Sequence, residues 1–281
     1  MTDFAGLVAN AGANDVEYED PFLIGRIITL RSARPRHFTA QTPVLFVHHG
    51  VLRNGGGYRN FWLPLVDDAD LLVIAPQFSD EYFPGAAWYN FGNRVGADGT
   101  PNPRDRWTYG IDGRVFAAFG AAGLTERRTY GVWGHSAGGQ FVHRMISLGF
   151  TDSVIAAVTA NAGTYAMPDL EVPYPFGLGE TGMHEADLRS LLAFPLTVMA
   201  GTEDIVTDDV HFPKEPAAME QGGTRYERAH TYVETAQQAA GLLMAPCNWT
   251  IVDVPGVDHD GERMSAAAAA RIAATLHARK N

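Results

Sequence analysis

The most constraining stretch of this 281-residue chain is Gly134-His-Ser-Ala-Gly138, a G-x-S-x-G match set between two segments of opposite character. An apolar and aromatic run, Thr129 to Trp133, enters it with the continuous hydrophobicity of a strand buried on both faces. A helix-compatible segment, Gln140 to Leu148, leaves it with Phe141, Met145 and Leu148 on one face. Strand, sharp turn and helix is the setting in which a serine is held on a strained backbone with its hydroxyl projecting. Such a turn needs neighbours with almost no side chain, and Gly134, Ala137, Gly138 and Gly139 supply them.

The rest of the chain alternates in the same way. Pro43 to His49, Leu71 to Pro76, Val154 to Ala160, Pro195 to Gly201 and Trp249 to Val254 read as buried strands. The segments between them, Tyr58 to Val66, Asp105 to Leu124, Arg225 to Met244 and Ser265 to Ala278, have helical spacing. That alternation predicts a parallel sheet covered by helices. Residues 1–21 are polar, Phe22 to Leu30 reads as a further strand, and Arg31 to Thr42 as a basic turn. We find no repeat, linker or low-complexity tract, and residues 1–281 read as one domain. Residues 77–104 and 161–192 interrupt the rhythm with aromatics among glycines and prolines. They are expected to wall a pocket, the second as a small lid-like insertion.

Charge and cysteine content narrow the functional classes. A net charge of −11 and a pI near 5.3 disfavour sequence-independent binding to nucleic acid or anionic membranes. The single cysteine, Cys247, excludes an intrachain disulfide and a multi-cysteine metal site, and it reads as a half-buried inert thiol. No window is apolar enough for a membrane span. The N-terminus has neither the basic nor the apolar region of a secretion signal. As it begins, the chain is expected in the cytoplasm, or outside the cell if a leader has been removed. Its oligomeric state is not legible.

A serine hydroxyl needs a base to take its proton and a carboxylate to orient that base. The strand ending at Gly201 runs into Thr202-Glu203-Asp204. Asp204 is the expected acid, with Glu203, Asp208 and Asp209 as neighbouring alternatives. Of ten histidines, His259 stands in the loop after the last strand and directly before the final helix, so serine, acid and histidine follow in that order. An oxyanion would be met by the backbone N–H of Ala137 and by one from the loop His48-His49-Gly50-Val51-Leu52, with Val51 first and Leu52 next. His48 and His49 lack a third ligand at metal-site spacing, so no metal is expected, and none of the nucleotide-binding glycine fingerprints is present.

Gly-His-Ser-Ala-Gly-Gly, the early His-Gly, Gly201-Thr-Glu-Asp204 and the late His259-Asp-Gly261 together resemble the α/β-hydrolase superfamily over nearly the whole chain. Val47-His-His-Gly50, Pro76-Gln-Phe78, Tyr89-Asn-Phe-Gly-Asn93 and Val254-Pro-Gly-Val-Asp-His259 resemble bacterial esterases of the poly(3-hydroxybutyrate) depolymerase-like and feruloyl-esterase-like kinds. The resemblance implies a mostly parallel, doubly wound sheet and a cofactor-free serine esterase. It would act on small to medium acyl or aryl esters or on polyester chains. A peptidase or acyltransferase on the same residues, or a non-catalytic ligand-binding relative, are the alternatives. The aromatics of the two irregular segments are expected to make an apolar cleft with few fixed charges. Trp88, Tyr89, Leu52 and His135 are its expected lining residues.

Overall fold

The computed structural model describes residues 2–278. Its sheet has eight strands among the described residues, in the order β1-β2-β4-β3-β5-β6-β7-β8. They are β1 (Gly12–Glu19), β2 (Ile27–Arg34), β3 (Val44–His48), β4 (Leu72–Gln77), β5 (Tyr130–His135), β6 (Val154–Ala160), β7 (Leu196–Gly201) and β8 (Thr250–Val254). The run from β4 to β8 is parallel, and β1 and β2 join it as antiparallel strands.

Two layers of core follow from the strand pleat. Val44 and Phe46 point into one layer and Leu45 and Val47 into the other, because successive side chains leave opposite faces. On one face lie α4 (Ile111–Ala121), α5 (Ala137–Ser147), α6 (Glu185–Ala193) and α8 (Arg225–Leu243). On the other, α1 (Gly55–Trp62) and α9 (Gly261–Ala278) set Trp62, Met264, Ile272 and Leu276 against Trp133 and Val73, while the short helices α2 (Val66–Ala69), α3 (Gly85–Trp88) and α7 (Pro216–Met219) lie in the connections. The central strands are therefore buried on both sides, which is why they are continuously apolar. No helix among the described residues is long and apolar enough to cross a membrane.

Two expectations are corrected at the sheet's first edge. The polar N-terminal stretch contains β1, and the second strand begins at Ile27 and runs through Arg31 to Arg34, where a basic turn was expected. Phe22 to Gly25 is a turn. An edge strand faces solvent and tolerates a charged alternation such as Asn14-Asp15-Val16-Glu17-Tyr18-Glu19, which carries little hydrophobic signal.

Candidate active site

Ser136 sits between β5 and α5 with φ 58° and ψ −119°, a strained conformation for a residue with a side chain. The crowding around it explains the motif. A Cβ on Gly134 would meet the Gly138 carbonyl at 2.1 Å, and one on Gly138 would meet the His48 carbonyl at 2.1 Å. The turn can close against β3 only because both positions are bare.

The two partners arrive on loops that are fastened to each other. Thr202 N–H donates to the Val254 carbonyl (3.1 Å) and Glu203 N–H to the Val257 carbonyl (2.9 Å). Asn161, at the end of β6, donates from Nδ2 to the Asp258 carbonyl (2.9 Å) and accepts from Gly201 N–H (2.8 Å). Asp260 accepts from Glu262 N–H and Arg263 N–H (2.8 and 3.1 Å), so the residue after His259 caps the start of α9. Asn161 is a support that the sequence reading missed; an asparagine directly after a buried strand was the available clue, and here it takes a left-handed φ of 46° that this residue type tolerates.

These loops bring His259 Nε2 to 2.9 Å from Ser136 Oγ and His259 Nδ1 to 2.8 Å from Asp204 Oδ2. A carboxylate can only accept, so Nδ1 carries the proton and Nε2 presents its lone pair to the serine hydroxyl. Asp204 is 1% exposed. Its Oδ1 lies 3.5 Å from Nη1 of the buried Arg225, whose Nη2 donates to Asp209 (2.6 Å). Of the four acidic candidates, Asp204 is the one in contact with His259, and Asp209 is taken by Arg225.

Val51 and Ala137 line the same cleft. Gly50 O accepts from Arg53 N–H (3.2 Å) and from His49 Nδ1 (2.9 Å). Across the trans peptide the Val51 N–H must point the other way. His49 Nε2 accepts from Phe78 N–H (3.0 Å), so its ring serves as a neutral tautomer, and burial pushes its pKa down to about 3. Ala137 N–H opens α5, where helical N–H groups have no intrahelical acceptor. Neither N–H has an acceptor among the described residues.

The cleft holds about 190 Å³ and is lined by Val51, Arg53, Asp80, Tyr89, Asn90, Ser136, Ala137, Gln140, His211 and Arg225, among others. Its polar wall overturns the expectation of an apolar cleft with few fixed charges. Phe83, Tyr89 and Tyr165 are fully buried and belong to the core. Tyr89 shows only an edge to the cleft, while its hydroxyl donates to the His49 carbonyl (2.7 Å). Trp88 lines a separate cavity of about 480 Å³ and stacks under Arg26, 3.5 Å from guanidinium carbon to ring centroid. Leu52 is 77% exposed and off the cleft wall. His135 is buried behind the site, its Nδ1 2.8 Å from the Tyr58 hydroxyl and its ring against that of His259 at 4.7 Å. For the aromatics of residues 77–104 and 161–192 the physical reason is shared. Irregular segments lying over a sheet must exclude water from it, and large rings do this with few residues.

No protein-family model matches this chain, and no curated protein sequence does. Solved structures do. LpqC, a poly(3-hydroxybutyrate) depolymerase from Bordetella parapertussis, is 43% identical with a TM-score of 0.89 over 93% of this chain and 89% of its own. Poly(aspartic acid) hydrolase-1 from Sphingomonas sp. KT-1 is 33% identical with a TM-score of 0.90 over 94% and 99%. Mycobacterium tuberculosis MPT51, at 15% identity and a TM-score of 0.60 over 95% and 100%, shares the fold.

Proposed function

The chain belongs to the α/β-hydrolase serine esterases, and from that premise we propose that Ser136 is its nucleophile, His259 its general base and Asp204 the carboxylate that orients the base. The observation that carries this reading is the unbroken hydrogen-bonded run from buried Asp204 through His259 to the strained Ser136. Ser136 Oγ attacks the ester carbonyl as its proton passes to His259 Nε2. The negative charge that develops on the carbonyl oxygen is met by the Val51 and Ala137 N–H groups. His259 returns the proton to the departing alcohol, leaving an acyl group on Ser136. Water, activated by the same histidine, then releases the acid. Every proton is carried by these side chains, and the reaction draws on no cofactor.

The substrate class we favour is a neutral polyester chain. Exposed Val51 and Leu52 stand on the β3–α1 loop, of which Val51 lines the cleft, and exposed Ile205, Val206 and Val210 follow β7 in the segment that begins with Asp204. Exposed apolar side chains on the two loops that supply Val51 and Asp204 suit a water-insoluble ester-bearing chain better than a small soluble ester. The 43% identical LpqC is a poly(3-hydroxybutyrate) depolymerase. The 33% identical relative acts on poly(aspartic acid), and the charges here speak against that substrate. Arg53 pairs with Asp80 (3.2 Å), and Arg225 with Asp204 and Asp209, so both arginines of the cleft are already neutralised. A net charge of −11 adds repulsion toward a polyanion and toward nucleic acid. A peptidase or acyltransferase reading is not favoured.

The test compares release of acid from 3-hydroxybutyrate oligoesters, p-nitrophenyl butyrate and poly(aspartic acid). Both ester substrates should turn over, with kcat/KM for poly(aspartic acid) at least about a hundredfold lower than for the oligoesters, the discrimination expected when a charged group is brought to a site without a counter-ion. Faster cleavage of poly(aspartic acid) than of the oligoesters would overturn the polyester assignment.

A further inference from the structure

Gln140 stands one helical turn after Ser136 on α5, and both line the cleft. Its Oε1 is crowded with donors, taking Asn90 Nδ2 at 3.1 Å, Arg144 Nη1 at 2.9 Å and Thr164 Oγ1 at 3.1 Å. Arginine only donates, so the amide cannot turn over without setting its own NH2 against a guanidinium. Arg144 cannot move aside either. It is wholly buried, with Nη2 donating to Thr164 Oγ1 (3.2 Å) and the Pro175 carbonyl (3.0 Å) and its guanidinium over the Phe91 ring.

The other end of the amide is the opposite case. Gln140 Nε2 carries two N–H donors and has no acceptor among the described residues. It lies against Gly163, another residue of the cleft wall, where an added Cβ would come within 3.0 Å of it. A fixed donor pair with no acceptor among the described residues, on the wall beside Ser136, is free to take an oxygen brought by the substrate.

We propose that Gln140 Nε2 forms a subsite for an oxygen substituent on the acyl chain, so that the cleft prefers hydroxyacyl and acyloxyacyl esters over plain alkanoyl esters. In a polyester of hydroxy acids, that oxygen is the hydroxyl or ester oxygen at the next linkage of the chain. This inference rests on the ester-hydrolase reading of the same cleft and adds to it which acyl groups are selected.

The experiment measures kcat/KM for p-nitrophenyl 3-acetoxybutyrate, whose substituent oxygens only accept, and p-nitrophenyl butyrate in the wild type, Gln140→Glu and Gln140→Met. Glutamate keeps an oxygen for the three internal donors and removes the N–H groups, and methionine keeps the length and removes both functions. The ratio of the two specificity constants should fall about tenfold in both variants, the scale of one lost hydrogen bond. Thermal melting of each variant reports whether the fold is retained. An unchanged ratio in a folded variant overturns the proposal. A wild type that hydrolyses neither ester overturns the ester-hydrolase reading instead, and this subsite with it.

Discussion

Ser136→Ala lowers kcat/KM for p-nitrophenyl butyrate by about a millionfold and leaves the melting temperature nearly unchanged. The scale is that of losing a nucleophile which acts as a unit with its base, with a residual rate sustained by binding and oxyanion contacts. Stability holds because the φ of 58° is imposed by β5, α5 and the bare Gly134 and Gly138, and alanine occupies that conformation at the same cost as serine. Initial rates on purified protein and a thermal melt check both halves. Retention of more than about a tenth of the wild-type rate would remove Ser136 from the role of nucleophile.

Acidification from pH 7 to pH 5 lowers folding stability, by about 2 kcal/mol from His49 alone. Three histidines carry the effect. Burial holds His49 down to about 3 and pushes His135 and His143 well below the ordinary value of 6.5. Their contacts explain why they stay neutral. His143 Nε2 accepts from Ala166 N–H (3.0 Å) while Nδ1 meets the Gly139 carbonyl (2.9 Å), and His49 is held between Phe78 N–H and Gly50 O in the same manner. Below pH 6.5 the unfolded chain takes up a proton at each of these sites and the folded chain does not. Stability is therefore level above about pH 7 and falls as pH drops, with each buried histidine adding to the slope. Urea unfolding between pH 8 and pH 5 should show that slope, and His143→Gln should reduce it by about a third. A flat profile from pH 7 to pH 5 would contradict the neutral buried state.

Different parts of this molecule were legible for different reasons. Strands β3 to β7 were readable because burial on both faces demands continuous apolar runs, which leave a mark in one dimension. Edge strand β1 was not, since Asp15, Glu17 and Glu19 face solvent and only Val16 and Tyr18 carry apolar signal. Ser136, Asp204 and His259 could be picked out by their places after strands, because the sheet's carboxyl ends converge on one edge. The direction in which a loop aromatic points has no such code. Trp88 and Tyr89 are adjacent in sequence, yet one stacks under Arg26 and the other lies beneath the cleft. Asn161 and Arg225 act through partners 16 to 97 residues away, such as Asp209 and Asp258, and those contacts exist only once the sheet has formed.

The central claim is that acyl transfer passes through Ser136. Treating the wild type with a fluorophosphonate and mapping the adduct by peptide mass spectrometry tests it most directly. We predict a single phosphonylated site, Ser136, in the peptide spanning β5 and α5, with no adduct formed on Ser136→Ala. An adduct on another side chain, or wild-type protein that hydrolyses esters without being labelled, would contradict the assignment.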